Sequence, residues 1–312
     1  MAKSPAATDR SKGQIIKERL ALSAVRLAAR MPLSVLQRLG WALGHLFVLW
    51  PNKQRRNALI NIRLCQPSLT PEEQVTLRDR TLREFGRTYL EIVYLWLRPV
   101  EEVLSLVTEV RGGELLDRSA GNGAGRGVIV LSPHLGAWEL AGLYLAAQGP
   151  TTIFYKPQRL LDGLIREARG RSGATLAPTS PRGVRLLVQA LERGEYAGIL
   201  PDQEPKGESG AVFAPFFGVP AFTMLLVSRL ARRTGARVIF MFAQRLAPGR
   251  GFRMHCIAAP DGVESDDDLI AAAALNRGVE QCVAICPEQY VWPYKRFRRR
   301  PEGPPSPYRG PL

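Results

Sequence analysis

The chain has few of the residues that build covalent or metal-centred frameworks. Its four cysteines, Cys65, Cys256, Cys282 and Cys286, show no disulfide framework and no Cys-x2-Cys spacing, which fits a reducing compartment. The only histidines, His45, His134 and His255, lie far apart without a zinc-ligand motif, so no structural metal and no cofactor is expected. Long apolar runs are also missing. The longest charge-free apolar stretch, residues 39–50, falls short of the ~20 residues that span a bilayer. Residues 1–13 are polar and lack the apolar core and small-residue cleavage site of a secretory signal; they are read as a disordered tail. There is no Gly-x-Ser-x-Gly elbow, and the nearest string, Gly207-Glu208-Ser209-Gly210-Ala211, fails at its last position. The glycine-rich residues 119–127 precede a strand and lack the Lys-Ser/Thr ending of a P-loop, which makes them a connection and not a phosphate cradle.

Acidic residues are scarce beside basic ones, 28 against 43, for a formal charge of +15. That balance favours anionic partners. No zinc knuckle, recognition helix or glycine-rich RNA-binding box accompanies it, so nucleic acid is not the expected partner. An anionic membrane surface or a phosphorylated substrate fits better. Residues 39–50, apolar with aromatic ends and followed by Lys53, Arg55 and Arg56, read as an interfacial or re-entrant segment. A buried core helix is the competing reading.

Residues 52–64 read as a basic helix. Thr70-Pro71-Glu72-Glu73 is a strong helix start, and the amphipathic pattern after it runs to about Leu97, before Pro99. Its aromatics Phe85, Tyr89, Tyr94 and Trp96 suit either the core or an acyl groove. From Val128 onward strands and helices alternate, which predicts an α/β sheet with crossover helices. The alternation places strands near 128–131, 151–155, 174–177, 196–200, 212–217, 237–244 and 252–258. Helices fall near 137–147, 159–169, 182–192, 223–233 and 266–285. The expected division is a tail (1–13), a helical membrane-associating region (14–110), an α/β domain (111–300) and a C-terminal tail (301–312).

The chemistry concentrates where the run Val128-Ile129-Val130-Leu131 gives way to Ser132-Pro133-His134-Leu135-Gly136-Ala137-Trp138-Glu139. Five residues apart on one helix, His134 and Glu139 would face about 140° away from each other, so they meet only if His134 precedes the helix. The imidazole then sits at the carboxyl end of a strand, where open α/β sheets bind ligands. A carboxylate on its other nitrogen would fix the tautomer and make it a general base. With no nucleophile motif in sight, the attacking hydroxyl is expected to be the substrate's own. Asp202, after the strand end Leu200-Pro201, reaches the same edge of the sheet, either to orient substrate or to cap a turn. Arg169 and Arg171 suit a phosphate or an oxyanion, against the alternative of solvated helix-end charges.

This box resembles the His-x4-Asp/Glu motif of the late acyltransferases of lipid A biosynthesis, the lauroyl/myristoyl transferase family. Three further blocks agree in order. Ile153-Phe154-Tyr155-Lys156-Pro157 resembles the family's Tyr-Arg-Pro block and is followed by the arginine pair Arg169 and Arg171. Leu200-Pro201-Asp202-Gln203 with Pro215-Phe216-Phe217-Gly218 resembles its Asp-Gln and Phe-Phe-Gly blocks. Cys286-Pro287-Glu288-Gln289-Tyr290-Val291-Trp292 with the basic run 295–300 resembles its C-terminal signature. Ala137 and Lys156 stand where many members carry Asn and Arg; a lysine offers a point charge in place of a bidentate fork. The resemblance implies a glycerolipid-acyltransferase-like central sheet with flanking helices and an N-terminal helical membrane-associating part. It implies His134 as general base oriented by Glu139, with Lys156, Arg169, Arg171 and Asp202 binding substrate. The implied donor is an acyl-acyl carrier protein thioester and the implied acceptor a phosphorylated glycolipid, at the cytoplasmic face of a bacterial inner membrane. Alternatives are an acyl-CoA-dependent transferase on another glycolipid or lysolipid, and a non-catalytic anionic-lipid-binding protein, against which the intact His134 and Glu139 argue.

Overall fold

The computed structural model describes residues 26–119, 125–157, 162–205, 207, 210–301 and 305–309. The expected N-terminal tail and most of the glycine-rich connection lie outside them. Helix α1 (Leu33–Leu49) contains the whole apolar stretch except Trp50, and α2 (Lys53–Cys65) follows, its start capped by the Asn52 side chain on the Arg55 N–H at 2.8 Å. Helix α3 (Pro71–Leu97) begins where Thr70 predicts. Thr70 Oγ1 accepts from the Glu73 N–H at 3.2 Å, and Glu73 accepts from the Thr70 N–H at 2.8 Å. Among the described residues no helix is long and apolar enough to cross a membrane.

Helices α1 and α3 pack backbone to backbone. A Cβ at Gly44 would stand 2.3 Å from the Leu82 carbonyl oxygen, and one at Gly86 would stand 2.2 Å from that of Gly40. Glycine at these positions lets one face of α1 press onto α3 and leaves the opposite face outward. Leu39, Leu46 and Leu49 are exposed there, Trp50 is exposed just past the helix end, and Trp41, with Arg83 of α3 over its ring, and Tyr89 of α3 are exposed at the flank.

After α4 (Val100–Ser105) the sheet begins with β1 (Val107–Arg111), which straddles the expected boundary at residue 110. The remaining elements are β2 (Val128–Leu131), α5 (Trp138–Gln148), β3 (Thr151–Tyr155), α6 (Asp162–Gly170), β4 (Thr175–Pro178), α7 (Pro181–Glu192) and β5 (Tyr196–Ile199), then β6 (Ala211–Phe216), β7 (Val219–Met224), α8 (Leu226–Thr234), β8 (Arg237–Arg245), β9 (Phe252–Ala258) and α9 (Asp268–Ile285). Among the described residues seven strands form one sheet in the order β1-β9-β8-β2-β5-β3-β4, with β8 and β9 antiparallel and the other neighbours parallel. Strands β6 and β7 do not join it. They pair with each other as a separate hairpin packed on α9, because only the short turn at Phe217-Gly218 separates them. Strand β2 is buried along its whole length between β5 and β8, as its unbroken run of branched residues requires.

A buried ionic network ties the helical part to the sheet. Arg245 at the end of β8 donates to Glu91 at 2.7 Å, to Glu84 at 2.8 Å and to Thr88 at 2.9 Å, all on α3. Gln37 of α1 donates to Glu91 at 3.0 Å. Residues 308 and 309 also dock: Tyr308 is buried, its hydroxyl bonded to Asn61 of α2, and Arg56 donates to the carbonyls of Tyr308 and Arg309. Tyr308 and Arg309 are therefore held against α2.

Candidate active site

Strands β2 and β5 are neighbours, with Leu131 in register with Ile199. His134 and Asp202 each lie three residues beyond that pair, so parallel pairing delivers both to one point at the carboxyl edge of the sheet. Asp202 is buried and takes two hydrogen bonds from the same residue: its Oδ1 lies 2.8 Å from His134 Nδ1, and its Oδ2 accepts from the His134 backbone N–H at 3.0 Å. Burial opposes the charge on Asp202, but the imidazole and these bonds outweigh it and hold its carboxyl below the ordinary value. The other ring nitrogen, Nε2, meets the Gln203 side-chain amide nitrogen at 3.1 Å.

The turn carrying His134 is clamped from the C-terminal segment. Its carbonyl accepts from the Val291 N–H at 3.1 Å, Leu135 bridges Tyr290, and the Gly136 N–H donates to the Gln289 carbonyl. Gly136 sits at φ +59°, and a Cβ there would lie 2.1 Å from the Ala243 carbonyl oxygen, so this position requires glycine. Gln289 holds the β8 end as well, accepting from the Arg245 N–H and donating to its carbonyl, both at 2.9 Å.

Glu139, in the first turn of α5, is not the carboxylate bonded to His134. It is buried and accepts from Arg169 at 2.9 Å and 2.5 Å and from the Trp96 indole N–H at 3.1 Å. Burial again opposes ionisation, and the Arg169 charge and hydrogen bonds prevail, keeping the carboxyl below its usual range. The pairing of His134 with Glu139 expected from sequence is thus corrected: the bonded partner is Asp202, brought in by strand register across 68 residues of chain. The arginine pair also divides. Arg169 locks Glu139, while Arg171 turns to the end of α3 and donates to the Arg98 and Leu95 carbonyls, satisfying groups a helix C-terminus leaves open. Lys156 is exposed just past β3, on the same edge of the sheet as His134. Trp96, read as core or groove, is an indole donor to Glu139. Gln203 was visible only as the second residue of the Asp-Gln block.

An apolar recess opens beside these groups, between α5 and the centre of the sheet. Glu139, Arg169 and Trp138 line it together with Gly142, Leu143, Ile153, Gly198 and Met241. Its volume of about 40 Å³ is room for roughly three water-sized groups. Burial pushes all four cysteine thiols up, Cys256 to about 12, which removes them as nucleophiles at neutral pH.

A histidine bonded to a buried carboxylate at the ends of parallel strands, next to an apolar recess, can chemically accept a proton beside an apolar group. The family model for bacterial lipid A biosynthesis acyltransferases matches residues 8–299, and the chain belongs to that family. It is an acyltransferase. Similar curated proteins include the lipid A biosynthesis lauroyltransferase of Escherichia coli K12, 29% identical over 93% of this chain and 94% of that one. The palmitoleoyltransferase of the same strain is 30% identical over 92% of each chain, and its myristoyltransferase 28% identical over 88% of this chain and 83% of its own.

Proposed function

We propose that this enzyme moves a fatty acyl group from an acyl carrier protein thioester to a free hydroxyl of a phosphorylated lipid A precursor, at the cytoplasmic face of a bacterial inner membrane. The observation that carries the reading is the His134–Asp202 pair. With the proton of the neutral ring held on Nδ1 by Asp202, Nε2 presents the lone pair that accepts the hydroxyl proton. The hydroxyl oxygen attacks the thioester carbonyl carbon, the C–S bond breaks, and the departing thiol takes the proton back from the imidazolium. No covalent acyl-enzyme is required. Among the described residues no serine, threonine or cysteine side chain is hydrogen-bonded to His134, in line with attack by the substrate.

Glu139 acts in this reading through Arg169 and Trp96, fixing the start of α5 beside the base. The recess behind it takes the nearer part of the acyl chain. Lys156, exposed at the same edge, offers a point charge to a phosphate of the acceptor. The outward face of α1, with its exposed leucines flanked by Trp41 and Trp50, lies in the interface, and Arg38 and Lys53 are exposed for anionic headgroups.

The test is transfer by purified protein from acyl-acyl carrier protein to a lipid A precursor, with the product weighed by mass spectrometry. Loss of transfer in folded His134→Ala is the expected result; near-wild-type turnover would overturn the base assignment. Preference for acyl-CoA over the carrier-protein donor at low salt would replace the donor.

A further inference from the structure

Asp202 and Gln203 are consecutive, yet they bond opposite nitrogens of one imidazole, at 2.8 Å on Nδ1 and 3.1 Å on Nε2. An ionised carboxylate only accepts, so Nδ1 carries the proton. With the Gln203 amide nitrogen turned to it, Nε2 accepts from the NH₂ group when it keeps its lone pair. Both contacts are satisfied when the ring proton sits on Nδ1 and Nε2 faces the amide. In that arrangement the lone pair a general base needs is engaged by Gln203.

The backbone around Gln203 is pinned on both sides. Asp202 is held by the His134 N–H, and Glu204 is buried, its N–H donating to the Tyr294 hydroxyl at 2.9 Å and its carboxylate accepting from the Arg299 N–H at 2.9 Å. Only the Gln203 side chain has to move to expose Nε2. We propose that Gln203 is a positioning residue that caps Nε2 until the acceptor hydroxyl displaces it, and so restrains the base from activating water against a bound thioester. The proposal rests on the reading of His134 as the base. The step it restrains is hydrolysis. Water gives its proton to Nε2 and its oxygen to the carbonyl carbon, the C–S bond breaks, and the thiol leaves with the returned proton, giving a free fatty acid. One neutral hydrogen bond biases such an equilibrium by about 2- to 10-fold, strong enough to suppress a slow side reaction and weak enough for a bound acceptor to displace.

The experiment uses the full-length protein with an acyl-acyl carrier protein donor. Free fatty acid is measured without acceptor and acylated lipid with it. Gln203→Leu keeps most of the bulk and removes the donor; Gln203→Ala removes the amide without adding bulk and repeats the measurement if leucine is not tolerated. The expected result is a rise of about 2- to 10-fold in the ratio of hydrolysis to transfer at an unchanged melting temperature. A ratio equal to wild type, or hydrolysis and transfer falling in the same proportion, overturns the cap. His134→Ala, assayed alongside, should lose both reactions. If it does, and the Gln203 ratio is still unchanged, the cap alone is wrong; if it retains both, the base assignment fails and the cap with it.

Discussion

Replacing Asp202 by Asn separates the two carboxylates more sharply than any other single change. Asn keeps the size, so an accepting oxygen remains for one of the two bonds Asp202 makes to His134, but the charge facing the ring is gone and one bond becomes donor against donor. Loss of general-base assistance costs roughly 10²- to 10⁴-fold, and loss of the carboxylate behind a catalytic histidine falls at the upper end, near 10⁴ in hydrolases. The Asp202 carboxyl is held below its ordinary value. A carboxyl whose folded pKa lies below its unfolded one, about 3.9 for Asp, stabilises the fold above that pH and loses the contribution as pH falls through the folded value. Asp202→Asn should therefore cut kcat by about 10³- to 10⁴-fold and remove part of the destabilisation that wild type suffers below roughly pH 4. Glu139→Gln leaves Arg169, which is 19% exposed, without its buried counter-charge, and should cost about 3 kcal/mol of stability as well as activity. The assay is initial transfer rate in mixed micelles at saturating donor, with thermal melting of each variant from pH 3 to 8. Near-wild-type kcat in folded Asp202→Asn would refute the reasoning and return the orienting role to Glu139.

Arg245→Met strands Glu91 and Glu84 in the interface between α3 and β8, and a loss of about 3–5 kcal/mol by denaturant melts is expected, with transfer falling only as the folded fraction falls. Gly136→Ala puts a Cβ against the Ala243 carbonyl at a positive φ, so activity should fall well over tenfold, with melting temperature as the companion measurement. Gly142→Leu should fill the recess and favour shorter acyl donors over longer ones in competition assays, since an alanine-sized group there meets only Ile153 at 3.5 Å and anything larger enters the cavity. Membranes carrying the protein should retain it in high salt and release it in detergent, because apolar insertion by the α1 face is not screened; recovery in the salt wash would remove that face from the interface.

Sequence alone determined the elements whose signals are local. The Thr70–Glu73 box started α3, the branched run 128–131 made a fully buried strand, and the alternation after it made an α/β sheet. It also brought His134 and Asp202 to strand ends. What it left undecided was which carboxylate meets the imidazole, because Glu139 is near in chain whereas Asp202 is near only through the Leu131–Ile199 register. Pairing between strands is set by contacts far apart in sequence, and no local pattern encodes it. The same reason separates Arg169 from Arg171, two residues apart and pointed at different helices. It also docks Tyr308 onto α2, where only the assembled fold supplies Asn61 as a partner for its hydroxyl.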